Sequence, residues 1–316
     1  MSISAVWKPW YVYRPHQLVR RLASTIATPP PGHRLMPVSW GVELWADPAE
    51  HVGRSMWTTG VFDLAVSEVL FRLTRPSDLV IDAGANLGYM TLVGAVASGR
   101  RGRVLAFEPN PNITPWLKRN VERAREHFEI AAVELHATAL GAAAGTATLV
   151  LPDASAANDG LAHIVEVNRS ERSLHGRTEA GRRVRVSVEK LDDVIGARPV
   201  GVMKIDVEGH ELEVLEGAAQ ALHARRIRHI VFEDHKGAAS APMALLRRAG
   251  YDIFSIGWSM RGPVLAPAAA GSLATSFEAP SYLATTEART SIDACRPAGW
   301  LTLQCQAHRA TEQVSP

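Results

Sequence analysis

The sequence predicts an α/β protein built on an open, mostly parallel, doubly wound β-sheet. Between about residues 78 and 260, short β-branched runs alternate with longer segments of helical period, as they do in such sheets. A glycine-containing turn stands directly between the first of these runs and the helical segment that follows it. The chain of 316 residues, 47% hydrophobic and 21% charged, is long enough to bury the core that this fold requires.

The elements follow one another in βαβ order, which imposes right-handed crossovers between parallel strands. In the first half we predict strands at 78–82, 103–107 and 133–137, with helices at 87–97 and 113–127. In the second half we predict strands at 200–206 and 229–233, with helices at 211–224 and 242–249. Two further runs, 251–256 and 281–285, are expected to close the sheet as an antiparallel pair.

The stretch 138–202 interrupts this regular pattern. It holds an apolar run at 146–151 and a strictly alternating run at 184–188, separated by polar residues rich in Gly, Ser, Arg and Asn. We expect both runs to be strands of an excursion from the sheet, such as a hairpin. Long irregular segments inside compact domains are usually functional, so the excursion is a candidate for ligand recognition.

The chain divides into an N-terminal arm at 1–40, a main domain at 41–288 and a C-terminal tail at 289–316. The arm is basic and aromatic, with a predicted amphipathic helix at about 15–27. It is expected to serve as a lid, a membrane-surface contact or a partner-docking segment, or else to be a solvated extension. Three tryptophans near the start of the main domain either line a ligand pocket or pack in the core: Trp40, Trp45 and Trp57.

Composition argues against several classes of protein. A formal net charge of +2 is too small to indicate nucleic-acid binding. No apolar run approaches the roughly 18 residues that span a bilayer, and the tryptophans and prolines at the start do not fit a signal peptide, so we expect a cytoplasmic protein. Cys295 and Cys305 have no CxxC partner, which indicates neither a disulfide framework nor a zinc site.

The strongest local signal is the turn Asp82-Ala83-Gly84-Ala85-Asn86-Leu87-Gly88, between the first strand and its helix. Small residues there let a ligand approach the backbone, and the helix N-terminus supplies donors. Glu108, twenty residues after Gly88 at the end of the second strand, is placed to accept both hydroxyls of a ribose. The turn lacks the second glycine of the pyrophosphate fingerprint, which favours an adenosine ligand without a diphosphate, such as S-adenosylmethionine.

The second signal is the charged run from Lys204 to Glu211, at the carboxyl end of a later strand. Ionisable groups beside an apolar run cost free energy to desolvate unless they are ion-paired or take part in function. This run is therefore either a salt-bridge cluster or part of a catalytic site at the edge of the sheet. The next strand ends at the same edge with Glu233 and His235. If a divalent ion were bound, its oxygen ligands would be Asp206, Glu208 and Glu233, but no fixed ligand spacing demands a metal.

Taken together, these motifs resemble the ordered motif set of the FkbM-family S-adenosylmethionine-dependent methyltransferases. The resemblance covers roughly residues 40–285 and rests on Gly60-Val61-Phe62-Asp63, the turn from Asp82 to Gly88, Phe107 to Pro111, Ala139-Leu140-Gly141, Leu191-Asp192-Asp193, Lys204 to Glu211 and Phe232-Glu233. It implies a class I methyltransferase fold and methylation of a hydroxyl group on a natural product, sugar or glycolipid. The family usually has Glu where Asp63 stands.

The resemblance and the motifs together give a set of expected site residues. Cofactor-binding residues are expected at Gly60, Asp63, Asp82, Gly84, Asn86, Gly88, Glu108, Pro109, Ala139, Leu140 and Asp206. For the chemical step, Asp206 is expected to be the acceptor-facing acid or base, with Glu208 orienting it and His235 in reserve. Two other functions remain open at this point, a nicotinamide-dependent dehydrogenase and a non-catalytic adenosine-binding module.

Overall fold

The computed structural model describes residues 8–26, 31–152, 163–165, 181–237, 239–268 and 280–304. The part before the main sheet forms helices and a two-stranded antiparallel hairpin. Their bounds are α1 (Pro9–Val12), α2 (His16–Ile26), β1 (Arg34–Pro37), β2 (Glu43–Ala46), α3 (His51–Thr59) and α4 (Leu64–Leu73). Helix α2 lies where the amphipathic helix was predicted, whereas the hairpin, α3 and α4 had no predicted counterpart.

The next elements alternate as predicted and build one half of the sheet. They are β3 (Leu79–Ala83), α5 (Tyr89–Ser98), β4 (Arg103–Phe107), α6 (Thr114–His127) and β5 (Ala132–His136). Strand β3 shows how the sequence divides the core. Val80 packs in the layer that contains α4, α5 and α6, while the neighbouring Ile81 faces the opposite layer, because successive strand residues point to opposite faces.

The predicted excursion is a separate four-stranded sheet rather than a simple hairpin. Its strands are β6 (Ala139–Leu140), β7 (Gly145–Pro152), β8 (His163–Val165) and β9 (Gly181–Glu189), in the order β6-β9-β7-β8. Its own small core contains Ala147, Leu149, Leu151 and Val186. The excursion therefore has enough apolar surface to pack as a unit beside the main sheet.

The chain then returns to the main sheet and completes it. The remaining elements are α7 (Leu191–Ile195), β10 (Val200–Ile205), α8 (Glu211–Gly217), α9 (Ala219–His223), β11 (Ile227–Glu233), α10 (Ala241–Arg248), β12 (Asp252–Ser259), β13 (Gly262–Pro267), β14 (Ser281–Thr285), α11 (Ala288–Cys295) and α12 (Leu301–Gln304). The predicted single helix at 211–224 is two helices. The Asp192 carboxylate accepts the backbone N–H groups of Gln220 and Ala221, which starts α9 separately.

The eight strands of the main sheet lie in the order β13-β12-β14-β11-β10-β3-β4-β5. Strand β14 runs antiparallel to both β11 and β12, as predicted for the closing pair, and β13 adds an unpredicted antiparallel edge. From β3 the chain moves outward to β4 and β5, and it later restarts at β10 on the other side. This change of direction opens a crevice at the carboxyl ends of β3 and β10, where such sheets bind ligands.

The two ends of the described chain meet on this framework. The Arg14 guanidinium donates to the backbone oxygens of Ser39 and Leu303, at distances of 2.6 and 3.2 Å.

Cys295 is a buried free thiol, whereas Cys305 lies outside the described residues. Within the described ranges, no helix is long and apolar enough to cross a membrane.

Candidate active site

The turn after β3 is held in place by its glycine and by the neighbouring loop. Gly84 has φ of +79°, and a Cβ there would lie 1.8 Å from the backbone oxygen of Asp206. The N–H groups of Gly84 and Ala85 both donate to the Phe107 carbonyl at the end of β4. The sequence therefore needs glycine at this position because the loops after β3 and β10 touch.

Glu108 ties the loops after β3 and β4 together. Its Oε2 accepts the Asn86 N–H at 2.8 Å, and its Oε1 accepts the Asn110 N–H at 2.9 Å. The side chain is buried, yet its residue lines an open cleft. Burial raises the pKa of Glu108 to about 7, against the lowering effect of the two N–H donors.

The main cleft has a volume of about 860 Å³ including its open mouth. Eight of the expected site residues line it: Gly84, Asn86, Glu108, Pro109, Ala139, Leu140, Asp206 and Glu208. The cleft also has two apolar walls that the sequence motifs did not predict. Val52 on α3 and Phe62 just before α4 form one wall, and Leu149 and Ile164 of the excursion sheet form the other.

His51 and Thr138 are further cleft residues that the motif analysis missed. The His51 ring lies edge-on to Phe62, with centroids 5.7 Å apart, and Phe62 belongs to the motif that contains Gly60 and Asp63. The hydroxyl of Thr138 donates to Glu189 at 2.6 Å, which joins β9 to the cleft wall. Phe62 was the available signal, because its motif placed an aromatic ring beside expected site residues.

A smaller pocket of about 240 Å³ adjoins the main cleft, and Phe62 and Asp206 line both. We call it the acidic side pocket, after three carboxylates that line it together with one ammonium group: Asp63, Asp206, Glu233 and Lys204. The Lys204 Nζ donates to Asp206 Oδ2 at 2.7 Å. Burial opposes the charge of Lys204, but Asp206 and Asp82 outweigh it and raise the Lys204 pKa, so the ammonium form persists.

Asp63 and Asp82 occupy different positions around these cavities. Asp63 begins α4 with φ of +37°, and its Oδ1 accepts the Val66 N–H at 3.2 Å. Asp82 is buried below the cleft, where its Oδ2 accepts the Thr91 hydroxyl at 2.5 Å. Within the described residues its Oδ1 has no hydrogen-bond partner, and burial raises its pKa.

Four expected site residues line neither cavity. Asp82 is one, and Gly60 and Gly88 are turn glycines at helix ends, with φ of +79° and +90°. His235 is exposed just beyond β11, although its charge is close enough to Glu208 to affect the Glu208 pKa. None of Trp40, Trp45 and Trp57 lines either cavity, and the buried Trp40 donates to the Tyr89 hydroxyl at 3.0 Å.

The strand order and a ligand cleft at the β3–β10 crevice define a class I methyltransferase fold. The family model described as "Methyltransferase FkbM domain" matches residues 82–253. The chain belongs to the FkbM methyltransferase family and is an S-adenosylmethionine-dependent methyltransferase. This assignment agrees with the resemblance seen in the sequence and favours methyl transfer over the dehydrogenase and non-catalytic alternatives.

Several known proteins are similar to the chain. The 31-O-demethyl-FK506 methyltransferase FkbM of Streptomyces tacrolimicus is 34% identical over 200 residues, which cover 57% of this chain and 74% of that protein. The hexuronic acid methyltransferase AglP of Haloferax volcanii is 31% identical over 175 residues, covering 54% and 62%. The crystal structure of methyltransferase FkbM from Methylobacillus flagellatus matches with a TM-score of 0.42 and 16% identity, over 66% of this chain and 43% of that one.

In the part of the chain that the structure describes, no group of three or more His, Cys, Asp or Glu side chains is arranged to hold a metal ion. In the acidic side pocket, Asp206 is paired with the Lys204 ammonium, and the charge of Glu233 also acts on Lys204. The site thus contains a fixed carboxylate at Glu108, two apolar walls and a charged pocket beside them.

Proposed function

We propose that the protein is an O-methyltransferase that binds S-adenosylmethionine in the main cleft and methylates a hydroxyl group of a small molecule. The observation that carries this proposal is the Glu108 carboxylate, which two backbone N–H groups fix at the cleft wall. Each of its oxygens still has a free lone pair, so the pair can accept both hydroxyls of a ribose. The fixed geometry lowers the cost of ordering this side chain when the cofactor binds.

The residues around Glu108 fit the rest of an adenosine cofactor. Pro109, Ala139 and Leu140 offer a small apolar slot beside the carboxylate, which suits a flat purine ring. The turn at Gly84 and Asn86, which is partly exposed to the cleft, suits the polar amino-acid end of the cofactor. Asp82 Oδ1, buried and without a partner among the described residues, adds a carboxylate oxygen below this turn.

When bound, the cofactor supplies a methyl group made electrophilic by its positively charged sulfur. The work left to the protein is to hold the acceptor oxygen in line with that group at about 3 Å and to keep water out. Asp206 stands between the main cleft and the acidic side pocket, which suits it to align the acceptor hydroxyl. Glu208, at the cleft mouth with φ of +52°, is suited to orient the acceptor as it enters.

The acceptor should have an apolar body and at least one free hydroxyl. Val52, Phe62, Leu149 and Ile164 provide apolar walls for the body, and the acidic side pocket accepts hydrogen bonds from hydroxyl groups. Carboxylates repel anions, so an acceptor with a negative charge near the reacting hydroxyl should be disfavoured. Relatives named for 31-O-demethyl-FK506 and for a hexuronic acid define two acceptors to be tested.

Isothermal titration with S-adenosylmethionine and S-adenosylhomocysteine tests the cofactor part of the proposal. Saturable binding that weakens in Glu108→Ala but not in Glu216→Gln, an exposed control on α8, is the expected result. The acceptor part is tested by transfer of a labelled methyl group to a panel of 31-O-demethyl-FK506, other hydroxylated natural products with apolar bodies, neutral sugars and hexuronic acids. Absence of cofactor binding would overturn the proposed function.

A further inference from the structure

The acidic side pocket presents two carboxylates with opposite surroundings, at the ends of neighbouring strands. Asp206 follows β10 and Glu233 ends β11, two strands that are paired in parallel. Both residues line the pocket, and Asp206 also lines the main cleft. An acceptor hydroxyl at the junction of the cavities would therefore meet both groups.

Asp206 differs from Glu233 in that it is already paired with a cation. Its Oδ2 receives the Lys204 Nζ at 2.7 Å, and the Lys204 side chain is only 7% exposed. A buried ammonium at this distance makes a charge-assisted hydrogen bond that fixes the carboxylate in one orientation. Asp206 is therefore suited to orient a hydroxyl through Oδ1.

Glu233 is half-buried and carries no such counter-ion at contact distance. Among the described residues, no hydrogen bond or salt bridge reaches its carboxylate. Burial raises the pKa of Glu233 to about 8, with a further rise from the negative charge of Asp206. Lys204 lowers this pKa, whereas Asp63 and Glu208 raise it.

We propose that Glu233 accepts the proton that the acceptor hydroxyl loses during methyl transfer, while Asp206 and Lys204 position that hydroxyl. The proposal rests on the proposed function and names a proton acceptor that differs from the one expected from the sequence. A base is most effective when its pKa lies near the working pH, and this pocket places such a carboxylate beside the reaction cleft.

The step balances without a further reactant. The acceptor oxygen forms a bond to the methyl carbon as the bond from that carbon to the cofactor sulfur breaks. The O–H bond breaks at the same time, and its proton moves to a carboxylate oxygen of Glu233. The electron pair of the broken carbon–sulfur bond stays on the sulfur, which becomes neutral, and the net positive charge leaves as the proton that Glu233 releases to water after the methylated product leaves.

The test compares Glu233→Gln, Glu233→Asp and the control Glu216→Gln, using S-adenosylhomocysteine and the best acceptor from the labelled-methyl panel. For Glu233→Gln we expect kcat to fall by about 10²–10⁴-fold, with the dissociation constant of S-adenosylhomocysteine changed less than about twofold. Glu233→Asp should recover part of the rate. Wild-type kcat should rise as the pH increases through about 8, and this rise should disappear in Glu233→Gln.

A readout that needs no acceptor accompanies the kinetics. Infrared titration of the unliganded protein should show two protonated-carboxyl components, one that disappears near pH 7 from Glu108 and one that disappears near pH 8 from Glu233, and Glu233→Gln should lack only the second. The proposal would be overturned if kcat were unchanged in Glu233→Gln, or if the rise of kcat with pH persisted in that variant. In either case the proposed function would still stand as long as the protein binds the cofactor. The proposal would also be overturned if Glu233→Gln lost cofactor binding while the wild type and Glu216→Gln kept it, since Glu233 would then belong to the cofactor site.

Discussion

Glu68 and Thr302 are joined by two hydrogen bonds across 234 residues of chain. The Glu68 Oε2 accepts the backbone N–H of Thr302 at 2.8 Å and its hydroxyl at 2.7 Å. The other oxygen receives Leu301 N–H and Arg72 Nε. Glu68 is fully buried on α4, so one carboxylate anchors the start of α12 against the helix that begins at Asp63.

We predict that Glu68→Ala destabilises the protein by about 3–5 kcal/mol, because it leaves the buried Arg72 without its carboxylate. Arg72 also donates to the carbonyls of Ala294, Pro297 and Gly299, so the whole C-terminal segment should loosen. Urea unfolding measures the change, with Glu216→Gln as the matched control. A loss below about 1 kcal/mol would show that solvent replaces these contacts.

Glu108→Ala should weaken S-adenosylhomocysteine binding by about 2–3 kcal/mol, because two hydrogen bonds to an ionised carboxylate are lost. Since the Glu108 pKa is about 7, binding to the wild type should weaken as the pH falls below 7 and the carboxyl becomes protonated. Glu108→Gln should bind weakly with little change over the same range. Titration calorimetry at pH 6, 7 and 8 measures both effects, and equal affinity at all three values in the wild type would contradict this role.

The unliganded protein should lose stability as the pH rises from about 6.5 to 8. Glu108 and Glu233 have pKa values of about 7 and 8 in the folded state, above the ordinary value of 4.5. Between pH 4.5 and these folded-state pKa values, the folded protein binds more protons than the unfolded chain does. The resulting contribution to the free energy of unfolding is fully present below about pH 4.5 and is lost as the pH rises to 7 for Glu108 and to 8 for Glu233. Glu233→Gln should flatten this decline between pH 6 and 8. Thermal unfolding across that range checks the prediction, which fails if the wild type and the variant decline in parallel.

Gly84→Ala and Gly209→Ala separate a steric requirement from backbone strain. Both glycines have positive φ, +79° and +95°, but only Gly84 would place its Cβ against another backbone, at Asp206. Gly209→Ala should cost about 1–2 kcal/mol. Gly84→Ala should cost more and also abolish cofactor binding, because the turn must move away from Asp206. Unfolding and cofactor titration on both variants provide the comparison, and similar losses would contradict it.

The sequence predicted the cleft residues on the loops of the main sheet better than those on the apolar walls of the cleft. Gly84, Asn86, Glu108 and Asp206 follow predicted strands, and parallel strands bring their carboxyl ends to one edge, so period and motif were sufficient to group them. The strand at 281–285 and its antiparallel partner were likewise predicted from β-branched and apolar runs. Local pattern determines these features.

The remaining features depend on tertiary contacts that a local pattern does not contain. His51 and Leu149 are far apart in the chain and meet only across the cleft. His235 follows β11, but Asp234 accepts the Lys236 N–H and the Ser240 hydroxyl, which folds this loop into a turn and leaves His235 exposed. The break between α8 and α9 depends on Asp192, whose carboxylate reaches across 28 residues to Gln220.

The excursion sheet contributes Leu149 and Ile164 to the cleft, whereas Glu108 and Gly84 belong to loops of the main sheet. Its strands pair among themselves and pack around their own apolar core. Only β6 of this sheet, with Ala139 and Leu140, belongs to the slot proposed for the cofactor. Mutations on β7 and β8 can thus accumulate without disturbing that slot or the loops at Gly84 and Glu108, so acceptor preference can evolve separately from cofactor use. A chimera that carries strands β7 and β8 of another family member should acquire the donor's acceptor range while keeping this chain's affinity for the cofactor.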